Sequence, residues 1–353
     1  MNCLINKVFN DRKMKILVTG GCGFIGSNIS IFLKKKNFKV FSLDNLYRPG
    51  SKLNCKKLAF HGIKNYKIDI SNEVQINKLS KFDLVIDCCA EASVEKSKTD
   101  ILRVFNTNLK GTLNLVQKCI KDRSKIIFLS SSRVYSIEAL KKLVKKKIIK
   151  KKINIKNTIS LDFETKYPKS FYGFTKLSSE EIIKEFSYLY SLKYLINRCG
   201  VISGPGQFGK QDQGFVSLWV WKHLNKKIIK FIGFGGYGNQ IRDVLHINDL
   251  CRLIFLQIKN FNKIYNKSFI VGGGLKNSIS LLELTKLCEK VTKYKCKVKR
   301  HRETSIYDIP YFVSSNRLVK TIYNWHPKHD LKEIVKDIYN WQANSLKKIK
   351  KFM

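Results

Sequence analysis

The first half of the chain alternates short apolar runs with stretches of helical periodicity, and few folds accommodate such an alternation. Strands that alternate with helices form right-handed βαβ units, which build a parallel sheet covered by helices on both faces. The sequence therefore predicts an α/β protein with a doubly wound parallel sheet. The predicted strands cover residues 15–19, 39–43, 65–70, 83–89 and 125–130, and the predicted helices lie near residues 25–36, 72–80 and 102–121.

The second half has a different character, because from about residue 201 the pattern is irregular and rich in glycine. A chain of 353 residues is long enough for roughly two domains. We expect the doubly wound domain to span residues 14–200. Residues 201–353 should form mainly a smaller substrate-binding lobe, with some elements returning to the first domain. Residues 1–13 are interpreted as an N-terminal extension or a misassigned start. The helices expected in the second half cover residues 279–292 and 331–348.

Gly20, Gly23 and Gly26 recur at three-residue intervals in the segment TGGCGFIGSN, which follows the first predicted strand and opens a helix. Glycine is needed where the turn is tight, where backbone approaches a pyrophosphate and where the helix packs on the strand. The next strand ends in Asp44, where a carboxylate can bind the adenosine ribose 2′-OH and repel the 2′-phosphate of NADP. The pattern predicts a Rossmann domain that binds NAD, with NADP as the alternative because Arg48 lies close behind.

Tyr172 and Lys176 lie four residues apart in a predicted helix and therefore share one face of it. A phenol with a pKa of about 10 is a poor base at neutral pH, and a nearby ammonium group and an oxidised nicotinamide would lower that pKa. Ser131 follows the fifth predicted strand and could hydrogen-bond the substrate oxygen whose proton moves. These three residues are the predicted catalytic set.

These motifs, in this order, resemble the extended short-chain dehydrogenase/reductase family, whose members act mostly on nucleotide sugars. Asp69 and Ile70 stand where that family contacts the adenine ring, the run CCAEASV stands at its fourth-strand loop, and Asn108 matches its helix asparagine. The resemblance implies a Rossmann fold, NAD as cofactor and a nucleotide sugar as substrate. The cofactor-binding residues that it implies are Gly20, Gly23, Phe24, Ile25, Gly26, Asp44, Asn45, Asp69, Ile70, Ala90, Asn108, Tyr172 and Lys176.

The two positions after the predicted catalytic serine bear on the reaction. Family members that dehydrate sugars carry acidic side chains there, whereas this chain has Ser132 and Arg133. The difference argues against a 4,6-dehydratase. It leaves epimerisation, in which NAD takes a hydride, the keto sugar is reprotonated or rotated, and the same hydride returns.

Segments of the second half are similar to the CDP-paratose 2-epimerase branch of this family, so that the similarity covers nearly the whole chain. The segments are residues 204–220, 233–250, 269–287 and 324–328. The resemblance implies that C2 of a CDP-linked deoxyhexose is inverted, and Arg242 is a fixed cation suited to a diphosphate. Val201 and residues 136–152 depart from the family pattern. The substrate-binding residues predicted on this basis are Gln207, Asp212, Gln213, Arg242 and Arg302.

Two other functions are compatible with the same residues. The first is a 4-epimerase or 4-keto reductase that acts on a UDP- or dTDP-sugar. The second is a non-catalytic protein that senses NAD or associates with RNA through its basic surface. The family resemblance also implies a homodimer.

Composition narrows the choice of partners. The chain has 68 Lys and Arg against 26 Asp and Glu, a formal net charge of +42, but the excess is spread along the sequence apart from a dense run at residues 141–152. Nucleic-acid binders usually concentrate such charge on one face, so we attribute the excess to compositional bias and expect no nucleic-acid partner. The ten cysteines are scattered without metal-ligand spacing, which predicts reduced thiols and no metal. With no predicted membrane span or signal peptide, we expect a cytoplasmic protein.

Overall fold

The computed structural model describes residues 13–94, 96–145, 148–149, 152–153, 157–210 and 213–353. The strands in this part of the chain are β1 (Lys15–Thr19), β2 (Lys39–Leu43), β3 (Asn65–Tyr66), β4 (Leu84–Asp87), β5 (Lys125–Ser131), β6 (Ile148–Ile149), β7 (Lys152–Ile153), β8 (Tyr194–Cys199), β9 (Val201–Ser203), β10 (Ile229–Ile232), β11 (Ile241–His246), β12 (Lys267–Val271), β13 (Ser278–Ser280), β14 (Val298–His301) and β15 (Tyr311–Phe312).

Helices connect most of these strands. They are α1 (Phe24–Lys35), α2 (Ser51–Phe60), α3 (Glu73–Asn77), α4 (Lys96–Thr99), α5 (Ile101–Phe105), α6 (Gly111–Asp122), α7 (Ile137–Lys145), α8 (Phe171–Tyr190), α9 (Phe215–Leu224), α10 (Ile247–Asn260), α11 (Leu281–Thr292), α12 (Arg317–Tyr323) and α13 (Leu331–Ile349). A π-helical turn (Asn106–Lys110) joins α5 to α6, and short 3₁₀ turns cover Ser132–Val134, Phe234–Gly236, Leu275–Asn277 and Lys350–Phe352.

Seven strands form a central sheet in the order β3, β2, β1, β4, β5, β8 and β12. All the neighbouring pairs are parallel. The predicted doubly wound parallel sheet is therefore confirmed, and its strand order is that of a Rossmann fold with one added strand. The added strand, β12, comes from the half of the chain after residue 201.

The two faces of the sheet carry separate hydrophobic clusters. Successive residues of a strand point to opposite faces, so Ile16 and Val18 of β1 pack with Ile29 of α1, whereas Leu17 packs with Leu115 of α6 on the other face. Burying each such aliphatic side chain contributes about 1.5–3 kcal/mol. The sheet is thus held between two helical layers, and its strand ends are fixed in position.

The smaller lobe is built on β11, which pairs with β9, β13 and β15, while β10 pairs with β14. Helices α9, α11 and α13 surround a third hydrophobic cluster that includes Trp219, Leu284 and Ile338. This lobe lies over the carboxyl ends of the central strands, where parallel sheets bind their ligands. None of the helices in the described ranges is both long and apolar enough to cross a membrane.

Candidate active site

A cavity of about 930 Å³ lies between the carboxyl ends of the central strands and the smaller lobe. The glycine-rich turn after β1 and the loop after β2 form one end of it, and residues within 199–210, 213–218 and 305–309 form the other. The end of β5 and the first turns of α8 lie between these two ends. The cavity is therefore lined by the carboxyl ends of the central strands on one side and by the smaller lobe on the other, and its volume is in the range of small-molecule sites.

The glycine-rich turn forms a cradle that side chains would fill. Gly20 has a φ of +58°, and a Cβ there would lie 2.9 Å from the Cys88 carbonyl oxygen. A Cβ on Gly26 would overlap the Gly20 carbonyl oxygen. Helix α1 begins at Phe24 without a side-chain cap, so the N–H groups of its first turn are free to bind an anion. The turn fits a dinucleotide pyrophosphate, and Gly23, Phe24 and Ile25 line the same cavity.

Asp44 follows β2 at the edge of this cradle. Its carboxylate accepts hydrogen bonds from the backbone N–H groups of Cys22, at 3.1 Å, and Leu46, at 2.8 Å. Burial nevertheless raises the pKa of Asp44. The side chain is therefore fixed beside the cradle, at the position where a ribose hydroxyl could donate to it.

Asn45 and Asp69 form a second polar group on this side of the cavity. The Asn45 amide donates to Asp69 Oδ2 at 2.7 Å, and Ser71 donates to Asp69 Oδ1 through both its backbone and its hydroxyl. Burial opposes ionisation, but these hydrogen bonds hold the pKa of Asp69 below its ordinary value. Ile70 and Ala90 complete the apolar lining on this side.

Asn108 is buried in the π-helical turn and does not line the cavity. Its Oδ1 accepts from the Glu91 backbone N–H at 2.8 Å, and its amide donates to Thr175 Oγ1 at 3.1 Å. The side chain thus ties the loop after β4 to helix α8. The other predicted cofactor-binding residues line the cavity. Asn108 instead supports its wall by holding the loop after β4 against α8.

Ser131, Tyr172 and Lys176 all line this cavity. Ser131 is the last residue of β5, and its Oγ accepts from the Arg133 N–H at 3.1 Å. Tyr172 and Lys176 are both buried on α8, whose N-cap Ser170 accepts from the Gly173 N–H. Burial raises the pKa of the Tyr172 phenol, and its hydrogen bond with Ser131 acts in the opposite direction.

The Lys176 ammonium group lies 3.9 Å from the centre of the Phe128 ring. Burial lowers the pKa of Lys176, and the nearby Asp87 carboxylate opposes that change. One turn further along α8, the buried Glu180 accepts from Ser130 and forms an ion pair with Arg198 at 2.8 Å. This network joins α8, which carries Tyr172 and Lys176, to β5 and β8.

Three of the five predicted substrate-binding residues line the cavity. Gln207, Gln213 and Arg242 line the cavity. Gln207 accepts from Ser203 at 2.8 Å, and Arg242 donates to the Ile309 carbonyl at 2.6 Å. Burial lowers the pKa of Arg242 to about 9.

The other two predicted substrate-binding residues, Arg302 and Asp212, are not among the described lining residues. Arg302 is exposed on the loop after β14 and is absent from the cavity lining, although residues 305–309 of the same loop reach it. Asp212 lies outside the described residues.

Sequence reasoning gave no place in the site to two further cations that line the cavity, Arg133 and Arg48. Arg133 donates to the Tyr307 carbonyl at 2.9 Å. Arg48 donates to Gln213 at 2.9 Å and to Glu91 at 2.8 Å, and so links the two ends of the cavity. The position of Arg133 two residues after Ser131 was the available signal. In the parts of the chain that the structure describes, no His, Cys, Asp and Glu cluster is suited to a metal ion.

A glycine-rich cradle at a helix N-terminus and a Ser, Tyr and Lys set facing one cavity define a Rossmann-fold enzyme that uses a nicotinamide dinucleotide. The model of the NAD dependent epimerase/dehydratase family matches residues 16–272, and the chain belongs to this family. The prediction of NAD as cofactor is confirmed by this membership. The predicted family, the extended short-chain dehydrogenase/reductases, is likewise confirmed.

Individual relatives extend the similarity to nearly the whole chain. The chain is 30% identical over 340 residues to CDP-paratose 2-epimerase of Salmonella typhi, covering 91% of this chain and 96% of that protein. It is 27% identical over 343 residues to UDP-glucose 4-epimerase of Lactobacillus helveticus, covering 90% and 93%. The structure of Thermotoga maritima UDP-glucose 4-epimerase with UDP-glucose superposes with a TM-score of 0.80 at 27% identity, covering 94% of this chain and 100% of that one.

Proposed function

We propose that the protein is an NAD-dependent nucleotide-sugar epimerase that inverts C2 of a CDP-linked deoxyhexose or a close analogue through a keto-sugar intermediate. The observation that carries the proposal is the meeting of Ser131, Tyr172 and Lys176 in one cavity beside the glycine-rich cradle. The similarity to a CDP-paratose 2-epimerase over 91% of the chain supports the choice of sugar and nucleotide.

In this proposal residues 14–200 hold the cofactor and residues 201–353 supply most of the substrate contacts, although β12 belongs to the central sheet. The glycine-rich cradle binds the pyrophosphate, Asp44 accepts from the adenosine ribose, and Asn45, Asp69 and Ile70 surround the adenine. Arg242 binds the diphosphate of the nucleotide sugar, and Gln207 and Gln213 bond its hydroxyl groups or base.

When bound, NAD would supply the reversible hydride chemistry at the sugar carbon. Tyr172 takes the proton of the sugar hydroxyl as the carbonyl forms, and gives it back when the carbonyl is reduced. Ser131 donates a hydrogen bond to the same sugar oxygen. Lys176 stabilises the phenolate and binds the nicotinamide ribose. Because the sugar carbonyl presents its opposite face before reduction, the hydroxyl group is inverted with no net oxidation.

A second candidate is a 4-epimerase or 4-keto reductase acting on a UDP- or dTDP-sugar. The similarity to a UDP-glucose 4-epimerase over 90% of the chain supports this second candidate. The same three catalytic residues would serve it, and only the carbon placed against Tyr172 would differ. A 4,6-dehydratase is disfavoured because Ser132 and Arg133 occupy the positions of its acidic residues.

The test is to incubate the protein with CDP-, UDP- and dTDP-linked sugars in heavy water and to follow the products by proton NMR. We expect a C2 epimer of a CDP-sugar, no net NADH, and a loss of turnover of about 1000-fold in Tyr172→Phe. Tyr188→Phe is the matched control, because Tyr188 lies on the same helix and is 86% exposed. A protein that carries no dinucleotide and whose turnover is unaffected by Tyr172→Phe is not this enzyme.

We also propose a cytoplasmic homodimer. Helices α5 and α8 lie side by side and expose Leu102, Phe105 and Phe174, whose burial against a second copy would be favourable. The free cysteines of the described residues fit a reducing compartment. Sedimentation velocity tests the dimer: Leu102→Lys should yield monomers, whereas the exposed Val74→Lys on α3 should not.

A further inference from the structure

Arg133 lies beside the proposed catalytic groups, yet none of the steps above uses it. Its backbone N–H donates to Ser131 Oγ at 3.1 Å. Its carbonyl oxygen lies against Gly173, where a Cβ would overlap it. These two contacts hold the backbone of Arg133 between the end of β5 and the first turn of α8, next to Tyr172.

The side chain of Arg133 reaches the same loop as that of Arg242. Arg133 Nη1 donates to the Tyr307 carbonyl at 2.9 Å, and Arg242 Nη2 donates to the Ile309 carbonyl at 2.6 Å. Both side chains line the cavity. Arg242 Nη1 also donates to the Ile241 carbonyl at 2.7 Å. Because an arginine side chain has five N–H donors, each guanidinium group keeps donors for a ligand.

The charge of this arginine pair is incompletely compensated. The Arg133 and Arg242 guanidinium groups are close enough to affect each other, and Asp308 is near both. Asp243 also acts on Arg242, but it does not line the cavity, and its Oδ2 accepts from the backbone N–H groups of Gly274 and Ser314. Of these two carboxylates, only that of Asp308 faces the two guanidinium groups from the described lining of the cavity. A buried cation without a partner is costly, so such a site is complementary to an anionic ligand with two negative groups.

A diphosphate has two such groups, and their order along the cavity matters. Arg133 adjoins Ser131 and Tyr172, so the phosphate it binds lies beside the reacting carbon. In a nucleotide sugar, C2 is bonded to the carbon that carries the phosphate, whereas C4 lies across the ring from it. A phosphate held next to the catalytic tyrosine therefore places C2, and not C4, against the phenol.

We propose that Arg133 binds the sugar-side phosphate of the nucleotide sugar and thereby selects C2 as the carbon that is oxidised, while Arg242 binds the phosphate nearer the nucleoside. This proposal rests on the proposed function of an epimerase and specifies which carbon it inverts. It makes Arg133 a specificity-determining residue that touches substrate.

The phosphate contact can be measured without turnover. Dissociation constants of CDP and CMP are measured by calorimetry on the NAD-saturated full chain, because CMP lacks the sugar-side phosphate. The wild type should bind CDP more tightly than CMP, and Arg133→Met should reduce that ratio at least about 10-fold. Arg133→Lys should reduce it less. Arg317→Met, an exposed arginine at the start of α12, should leave the ratio unchanged.

An Arg133→Met protein that binds NAD and keeps the wild-type ratio overturns the phosphate contact, and if that variant does not fold, an unchanged ratio in Arg133→Lys does so. Proton NMR of the wild-type products tests the second part. Inversion at C2 is expected, and inversion at C4 overturns the selection of C2. Absence of any inversion together with a reduced CDP-to-CMP ratio in Arg133→Met contradicts the epimerase but supports the contact with the phosphate.

Discussion

Ser131 contacts the Tyr172 phenol and lowers its pKa against the effect of burial. If the phenolate is the proton acceptor, activity rises with pH as the phenol ionises. Ser131→Ala removes the hydrogen bond, so the apparent pKa on the acidic limb should move upwards. Turnover at neutral pH should then fall by about 100-fold. The measurement is kcat as a function of pH.

The neighbouring Ser132→Ala is the control for that experiment, because Ser132 also lines the cavity but has no assigned role. Its pH profile should match the wild type. An unchanged acidic limb in Ser131→Ala would mean that the serine does not tune the tyrosine.

For single residues, the sequence predicts the arrangements that depend only on residues close together in the chain. Tyr172 and Lys176 share a helix face because they are four residues apart, and the glycines are fixed by the turn they must make. Arg302 is not among the described lining residues, and its contact with substrate stays a prediction, because an irregular loop has no periodicity from which to infer direction. The convergence of Arg133 and Arg242 depends on contacts between distant segments, which a single sequence does not reveal.

Among the elements, the turn from β1 to α1 is the least tolerant of change. A Cβ on Gly26 would overlap the backbone oxygen of Gly20, which no flexible side chain can relieve. Gly26→Ala should therefore reduce the free energy of unfolding by about 1–3 kcal/mol and weaken NAD binding. Thermal unfolding and NAD titration measure the two effects. Lys35→Ala, at the exposed end of the same helix, should change neither.

Helix α10 begins at an N-cap histidine, His246, that is fully buried. His246 accepts from the Asn248 N–H at 3.1 Å and stacks on His329 at 4.2 Å, with Asp249, Glu333 and Asp337 nearby. Burial lowers the pKa of His246 to about 4. The unfolded chain binds a proton there near pH 6.5, so stability is fully present above that pH and is lost as the pH falls towards 4.

Between about pH 7 and pH 5 this one group should cost the fold about 2 kcal/mol. Asn is a good N-cap residue that does not titrate in this range. His246→Asn should therefore lose less stability than the wild type over the same range, as measured by denaturant unfolding. Parallel losses in the two proteins would show that other groups are responsible.

The boundaries of the helices and strands show where hydrophobic periodicity predicts an element and where it does not. Helices α1, α11 and α13 begin within two residues of the predicted positions, because each has a clear amphipathic pattern. The predicted helix at residues 102–121 is interrupted by a π-helical turn, where Asn108 bonds to Glu91 and Thr175. The assignment of β12 to the central sheet follows from long-range pairing with β8, which no local signal shows.

For the whole molecule, the net charge of +42 is the property that the fold leaves unexplained. The cavity is also positively charged, because its described lining residues include eight cations and four carboxylates. The cations are Arg48, Arg103, Arg133, Lys176, Lys210, Lys222, Lys230 and Arg242, and the carboxylates are those of Asp44, Asp69, Glu91 and Asp308. A basic cavity in a basic protein focuses the field and draws in an anionic nucleotide sugar.

Salt should then slow association and leave the chemical step nearly unchanged. Raising NaCl from about 0.05 M to about 0.5 M shortens the Debye length to a few ångströms, and kcat/KM should fall about 10-fold while kcat changes little. Steady-state kinetics with the substrate found by NMR measures both. If kcat/KM is insensitive to salt, the charge does not steer the substrate. A salt-sensitive affinity for RNA that survives Tyr172→Phe would then assign the basic surface to nucleic acid, because RNA binding depends on phosphate contacts and not on the catalytic phenol.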